Sequence, residues 1–315
     1  MKAFFTVVIF LFFGFRICAQ DTVSFLTAST EFHKQRFALA SGVQAVGYGG
    51  SLGLLSIAWY KDYKQTSFHS FNDSREWLQM DKAGHLVTSR YLGEISTDMF
   101  EWSGVRKKKA VCYGALASFA YLTGIEVMDG FSGGWGFSWT DVAANSLGTG
   151  MMVGQKILSE GSGHTSFARG LSEISLKFSF HQTTWPDVRP SLLGDSVLAR
   201  QILKDYNGQS YWMSFNISSF LKEDCKFPKW LNIALGYGGE GMISGKDEFV
   251  LLDNGNSMWV ERYRQYYLSL DIDLTRINTR SHFLKTLFEC ISFIKIPSPS
   301  MEFSKKGILF HPYYF

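Results

Sequence analysis

Net charge is nearly absent from this chain: 31 Lys and Arg stand against 28 Asp and Glu, leaving +3 over 315 residues. So small a surplus does not hold a polyanion by phosphate neutralisation, which argues against nucleic acid as a partner. Cysteine is scarce as well. Of four, Cys18 falls in an N-terminal leader, and Cys112, Cys225 and Cys290 are an odd number that cannot complete a disulfide framework. Cys112 lies in an apolar helical pattern and reads as inert. No H-E-x-x-H, no paired C-x-x-C and no phosphate loop ending in Gly-Lys-Ser/Thr occurs, so no cofactor is supported by a specific motif. The histidines at 33, 69, 164, 181, 282 and 311 show no ligand spacing, and internal repeats and low-complexity tracts are missing. Charged residues are only 19% against 46% hydrophobic, which excludes a disordered chain.

Aromatic residues are abundant, at 28 Phe, 14 Tyr and 9 Trp, a leaning toward work at a membrane interface. Residues 1–20 read as a secretion signal: Lys2 supplies the positive start, Ala3 to Phe15 a short apolar run, and Ala19 the small residue before cleavage. Arg16-Ile17 ahead of Cys18 fits lipid attachment poorly, so cleavage near Ala19 or Gln20 is expected.

The hydrophobic period changes near residue 170, which predicts two domains, helical over 21–170 and β-rich over 171–315. Phe37 to Tyr60 is uncharged and long enough either to cross a bilayer or to form a buried central helix. Gly42, Gly47, Gly50 and Gly53 would let a neighbouring backbone approach it. Further helices are expected over about 81–100, 110–125 and 142–158, the first with Arg90, Glu94 and Asp98 as a solvated ion-pair ladder, the last packed closely through Gly148, Gly150 and Gly154. Downstream, residues alternate with period two over 174–180, 211–217, 231–237 and 268–274, and 307–315 offers a last strand. These strands predict an antiparallel sheet whose apolar face packs on helices; they are too few for a complete outer-membrane barrel, which needs at least about 8. Residues 195–205 and 282–294 read as amphipathic helices, the second packed on the sheet or lying in a membrane interface. The expected fold is therefore α+β: an N-terminal glycine-rich helical bundle, membrane-embedded or membrane-apposed, followed by a β-rich antiparallel region with amphipathic helices.

Three of the helices each bring a polar pair into apolar surroundings. Asp81 and His85 share a face at i, i+4 with Lys82 beside them; Glu126 and Asp129 are spaced i, i+3; Asp141 and Asn145 are again i, i+4. Four carboxylates against one lysine is an excess of negative charge that a low-dielectric interior tolerates only with protonation, a metal, a charged His85 or a cationic ligand. His85, Asp81 and Lys82 are the candidate catalytic residues, and His85, Glu126, Asp129 and Asp141 the candidate metal ligands. The competing reading is a set of caps, Ser138 with Asp141 as a capping box and Asp81 on its own helix, or a structural polar network. Gly130-Phe131-Ser132-Gly133-Gly134 matches G-x-S-x-G, but a helix precedes it where that motif needs a strand, so it reads as a loop.

Asp81-Lys82-Ala83-Gly84-His85, then Glu126, then Trp139-Thr140-Asp141-Val142-Ala143-Ala144-Asn145 with Gly148, resembles the D-K-x-x-H, acidic, D-V-x-x-N-x-x-G progression of VanZ-like membrane proteins, and more closely the YfiM-like predicted periplasmic lipoproteins, over about residues 75–160. The resemblance implies a small helical bundle in the bacterial cell envelope, periplasmic and membrane-associated, with the outer membrane among its destinations. It implies no reaction. The expected role is non-enzymatic, in envelope structure or assembly or in binding an amphiphile, with membrane or envelope components as partners. The alternative is a membrane-associated hydrolase using the His and carboxylate cluster with a divalent metal.

Overall fold

The computed structural model describes residues 25, 27–60, 63–160, 165–194, 197–221, 226–252 and 255–314. The leader expected over 1–20, and Cys18, His164 and Cys225, lie outside them. The chain is mixed helix and sheet, with an antiparallel sheet in its C-terminal region.

Helix α1 (Lys34–Leu55) runs into a π-helical turn at Ser56–Tyr60. The apolar run of the sequence therefore does not continue as one regular helix. α2 (Met80–Trp102), α3 (Lys107–Gly130) and α4 (Trp139–Glu160) pack on one another, and α1 touches α2 more lightly. α3 buries Ala110, Gly114, Ser118, Leu122 and Glu126, a row repeating every four residues and so lying along one face. Small residues on that row bring the backbones together: a Cβ at Gly114 would strike the Gly93 carbonyl and Thr97 on α2, and one at Gly148 on α4 the Leu86 carbonyl and Ser89. Ser118 Oγ uses the proximity to donate to the Ser89 carbonyl at 2.7 Å.

Three expectations are corrected here. Gly42, Gly47, Gly50 and Gly53 on α1, and Gly150 and Gly154 on α4, face open space, so they admit no close neighbour. Arg90 is buried rather than solvated: it pairs with Glu94 at 2.8 Å and reaches Gln155 of α4, while Asp98 pairs across to Lys156 at 3.0 Å. Cys112 is exposed, since it sits two residues past Ala110 and so off the buried row.

Past α5 (Ser166–Ser172) the chain forms a six-stranded antiparallel sheet in the order β1-β2-β3-β6-β7-β8, from β1 (Ser175–Phe180), β2 (Gln209–Asn216), β3 (Leu231–Glu240), β6 (Tyr263–Ile272), β7 (Ser298–Ser304) and β8 (Gly307–Tyr314). β4 (Phe249–Leu251) and β5 (Ser257–Trp259) make a separate hairpin. α6 (Leu198–Lys204) precedes β2, and α7 (His282–Ile291), capped by Ser281, precedes β7.

Cross-strand register lines up one apolar row over the whole sheet, Leu176, Met213, Leu235, Leu268, Met301 and Phe310, and on the opposite face a row of Ser175, Ser214, Ala234, Ser269, Ser300 and His311. The burial is the reverse of the usual arrangement. From β2 to β8 the apolar row is bare, with Leu235 51% and Phe310 66% exposed, and the polar face is inside, with Asp271 and Asn232 fully buried. The expectation that the apolar face packs on helices is therefore corrected in part: α2 covers its β1–β2 end, where Leu176 is buried, the Tyr91 hydroxyl donates to its carbonyl and Tyr211 of β2 lies against Gly84, while the row from Met213 to Phe310 is left open.

Ionic and amide pairing makes the reversal tolerable. Lys177 Nζ lies 2.7 Å from Asp271, which also accepts from Ser214 at 2.6 Å; Asn232 donates to Ser214 at 2.9 Å, and Asn216 to Asn232 at 2.6 Å. The Lys295 ammonium is held by the Leu270 and Ile296 carbonyls and lies 5.0 Å from the Trp212 ring. The sheet also curls: the free edge of β1 bonds to Phe293 and Lys295, just before β7, and Tyr314 of β8 donates to Tyr267 at 2.7 Å within the curl.

α7 is exposed from Phe283 to Leu287, with Phe283 74% accessible, and only Phe288 and Ile291 are half-buried, so its apolar side is largely uncovered.

Candidate functional site

Helix spacing delivers the polar pairs to one place. Asp81 and His85 stand one turn apart on α2, Asp141 and Asn145 on the facing turn of α4, and Glu126 lies on the buried row of α3. α4 begins at this spot because Ser138 caps it, its hydroxyl accepting from the Asp141 amide at 3.0 Å. α2 begins after three consecutive left-handed residues, Trp77, Leu78 and Gln79, with φ of 46°, 51° and 65°. Each non-glycine residue in that region costs about 1–2 kcal/mol, so the turn needs outside support. The sheet supplies it: the Tyr237 hydroxyl donates to the Leu78 carbonyl, and Arg264 donates to Gln79 Oε1 at 2.7 Å.

Around the half-buried Lys82 ammonium stand three carboxylates: Asp73, Asp81 at 2.7 Å and Asp141 at 3.1 Å. Asp73 is further held by the hydroxyls of Ser138 at 2.8 Å and Thr140 at 2.7 Å. Burial pushes Asp73 up, but hydrogen bonds from Lys82 and its other neighbours outweigh this and hold it at about 2. Asp81 has fewer donors, and burial, only partly offset by Lys82, raises it to about 7. Burial likewise raises Asp141, against the pull of His85 and Lys82. Burial lowers Lys82, but Asp81 and Asp141 more than compensate and raise it.

His85 lies beside this group. Its Nδ1 faces Asn145 Oδ1 at 3.1 Å and its Nε2 faces Glu126 Oε1 at 3.6 Å. Glu126 is 1% exposed; one oxygen accepts from the Ser138 amide at 3.3 Å and Oε1 has no hydrogen-bond partner. Burial, then the neighbouring Asp141 and Asp129, raise it to about 9.

The sequence-based candidates thus converge, except for Asp129. Its carboxylate accepts from the Tyr60 hydroxyl at 2.7 Å, and it is not among the groups whose donor atoms are close enough to share an ion. Those groups are His85, Glu126 and Asp141, and Asp73, Asp81 and Asp141, each with ligand atoms within 4.8 Å of one another. Asp73 went unrecognised in the sequence because it lies in a loop, where no helical spacing ties it to Lys82. Ser132 is buried in the turn after α3, with its hydroxyl accepting from the Gly134 amide at 3.2 Å. A cavity of about 500 Å³ lies elsewhere, beside Leu78, Lys246, Glu248 and Arg262.

Residues 69–155, which contain the whole cluster, match a family described as predicted periplasmic lipoprotein (DUF2279). The match links this segment to an uncharacterised periplasmic lipoprotein-like family and supports an exported, envelope-associated location. No curated protein and no solved structure matches the chain.

Proposed function

We propose that this is an exported envelope protein with a non-enzymatic role in envelope structure or assembly, seated on a membrane through its sheet. The observation that carries the reading is the bare apolar row from Met213 to Phe310, backed by a buried polar face. In water such a face costs roughly 25 cal/mol per Å² of apolar surface left exposed, and it is the polarity of a sheet whose outside meets lipid. β3 and β6, at 10 residues each, are about 33 Å long at 3.3 Å per residue, near the roughly 30 Å hydrocarbon thickness. The exposed α7 suits a place in the interface beside it. The helices form a bundle of the YfiM-like and VanZ-like kind, apposed to the membrane and outside its hydrocarbon, where the ionic cluster is at home.

The hydrolase reading has less support, because the cluster is hydrogen-bonded within itself and the cavity of about 500 Å³ is lined by other residues. Flotation of the mature chain with phospholipid vesicles tests the proposal. The wild type rises with the vesicles, and Leu235→Asp combined with Leu268→Asp stays below; a wild type that stays below in folded form, or a double variant that floats equally well, overturns it.

A further inference from the structure

The ring of His85 is oriented in the way a metal-bound histidine is oriented. With Asn145 Oδ1 as the acceptor at 3.1 Å, a neutral His85 ring carries its proton on Nδ1 and leaves the Nε2 lone pair for a ligand. What Nε2 faces is another acceptor, Glu126 Oε1, at 3.6 Å. That oxygen is buried and without a hydrogen bond, as is Asp141 Oδ1, which approaches Lys82 without hydrogen-bond geometry. His85, Glu126 and Asp141, from three different helices, therefore each bring a ligand atom within 4.8 Å of the others.

We propose that His85, Glu126 and Asp141 bind one divalent cation of the kind that accepts mixed nitrogen and oxygen donors, with zinc as the fitting member. Donors around zinc lie about 2.0–2.2 Å from the ion, so they stand roughly 3–4 Å from one another, and the trio needs to draw in only slightly. The Asn145 contact is the outer support that ligating histidines use to fix their tautomer. Charge agrees: Asp73, Asp81 and Asp141 face the single ammonium of Lys82 while Glu126 faces His85, and a divalent ion removes most of the carboxylate excess. Ligands contributed by α2, α3 and α4 make the ion a fastening of the helices. A water would complete the coordination, since His85 is the most accessible of the three side chains.

The rival arrangement is a proton shared between His85 and Glu126, and the experiment separates the two. Chelator-stripped full-length mature protein is titrated with zinc chloride by calorimetry, with circular dichroism as the check on folding and free cysteines alkylated to remove thiol binding. The expected result is one site per chain, weakened at least about a hundredfold in His85→Ala and in the isosteric Glu126→Gln, and retained in Asp129→Asn, whose carboxylate belongs to Tyr60. Asn145→Ala keeps the site but weakens it about 10–100-fold. Folded wild type that takes up no zinc below about 100 μM overturns the proposal in favour of the shared proton. Equal binding by wild type, His85→Ala and Glu126→Gln overturns it in favour of a surface site.

Discussion

Lys82 is the residue on which the cluster's electrostatics turn, because it neutralises part of three buried carboxylates at once. Removing one partner of a buried ionic group costs roughly 3–5 kcal/mol, so Lys82→Met should lose about that much stability in denaturant titration at pH 8. The defect should shrink toward pH 5, where protonation relieves the remaining repulsion. Asp81 fixes the sign for the wild type. Its folded pKa of about 7 lies above the ordinary value of 3.8, so its protonated form favours folding, and that contribution is full below about pH 4 and lost as pH rises through 7. Asp81→Asn does not titrate. Its stability relative to wild type should therefore rise between pH 5 and pH 8, in thermal melts at constant ionic strength; a difference that is flat or falls with pH would contradict the assignment. Asp73 works the other way, contributing above its ordinary range and losing that contribution only as pH falls toward 2.

Among the helices, glycine has two opposite meanings that spacing alone does not separate. Gly114 and Gly148 sit where another backbone touches, so Gly148→Val should cost about 1–3 kcal/mol or more by overpacking, read as a lower denaturation midpoint. Gly50 faces open space in the middle of α1, and Gly50→Ala should be neutral or stabilising by about 0.5–1 kcal/mol. Uncharged length placed α1, and the pattern of apolar and polar residues placed the other three long helices and five of the six strands in the sheet. β7 was missed because Ser298-Pro299-Ser300 opens it with turn residues, and the true start of β6 at Tyr263 because Arg264 and Gln265 dilute its alternation. Within the site, Asp81, Lys82, His85, Glu126, Asp141 and Asn145 were legible through helical spacing. Asp73 was not, because loop residues reach a site by tertiary contact. Alternation also told correctly that the sheet has one apolar face; it carries no information about which face meets solvent, and there the reading failed.

For the molecule as a whole, near-zero net charge and a bare apolar sheet together set the kind of membrane binding expected. Apolar burial is insensitive to ionic strength, whereas binding by surface charge weakens once the Debye length falls below about 10 Å. Vesicle flotation should thus be unchanged between 0.05 and about 0.5 M salt and similar on neutral and anionic lipid; loss at high salt would assign the binding to basic side chains instead. The left-handed turn at Trp77–Gln79 adds a constraint of another kind. Its supports come from Tyr237 and Arg264, 159 and 185 positions along the chain from the residues they hold. Closing contacts of such sequence separation is slow. While the polypeptide emerges from an export channel in N-to-C order, the helices can meet early, but the turn that aims Asp81 and Lys82 has to wait until β3 and β6 have paired. The final aim of Asp81 and Lys82 is thus expected to be set only after the downstream sheet has formed, an order that pulse-labelled hydrogen exchange of α2 and β3 would check.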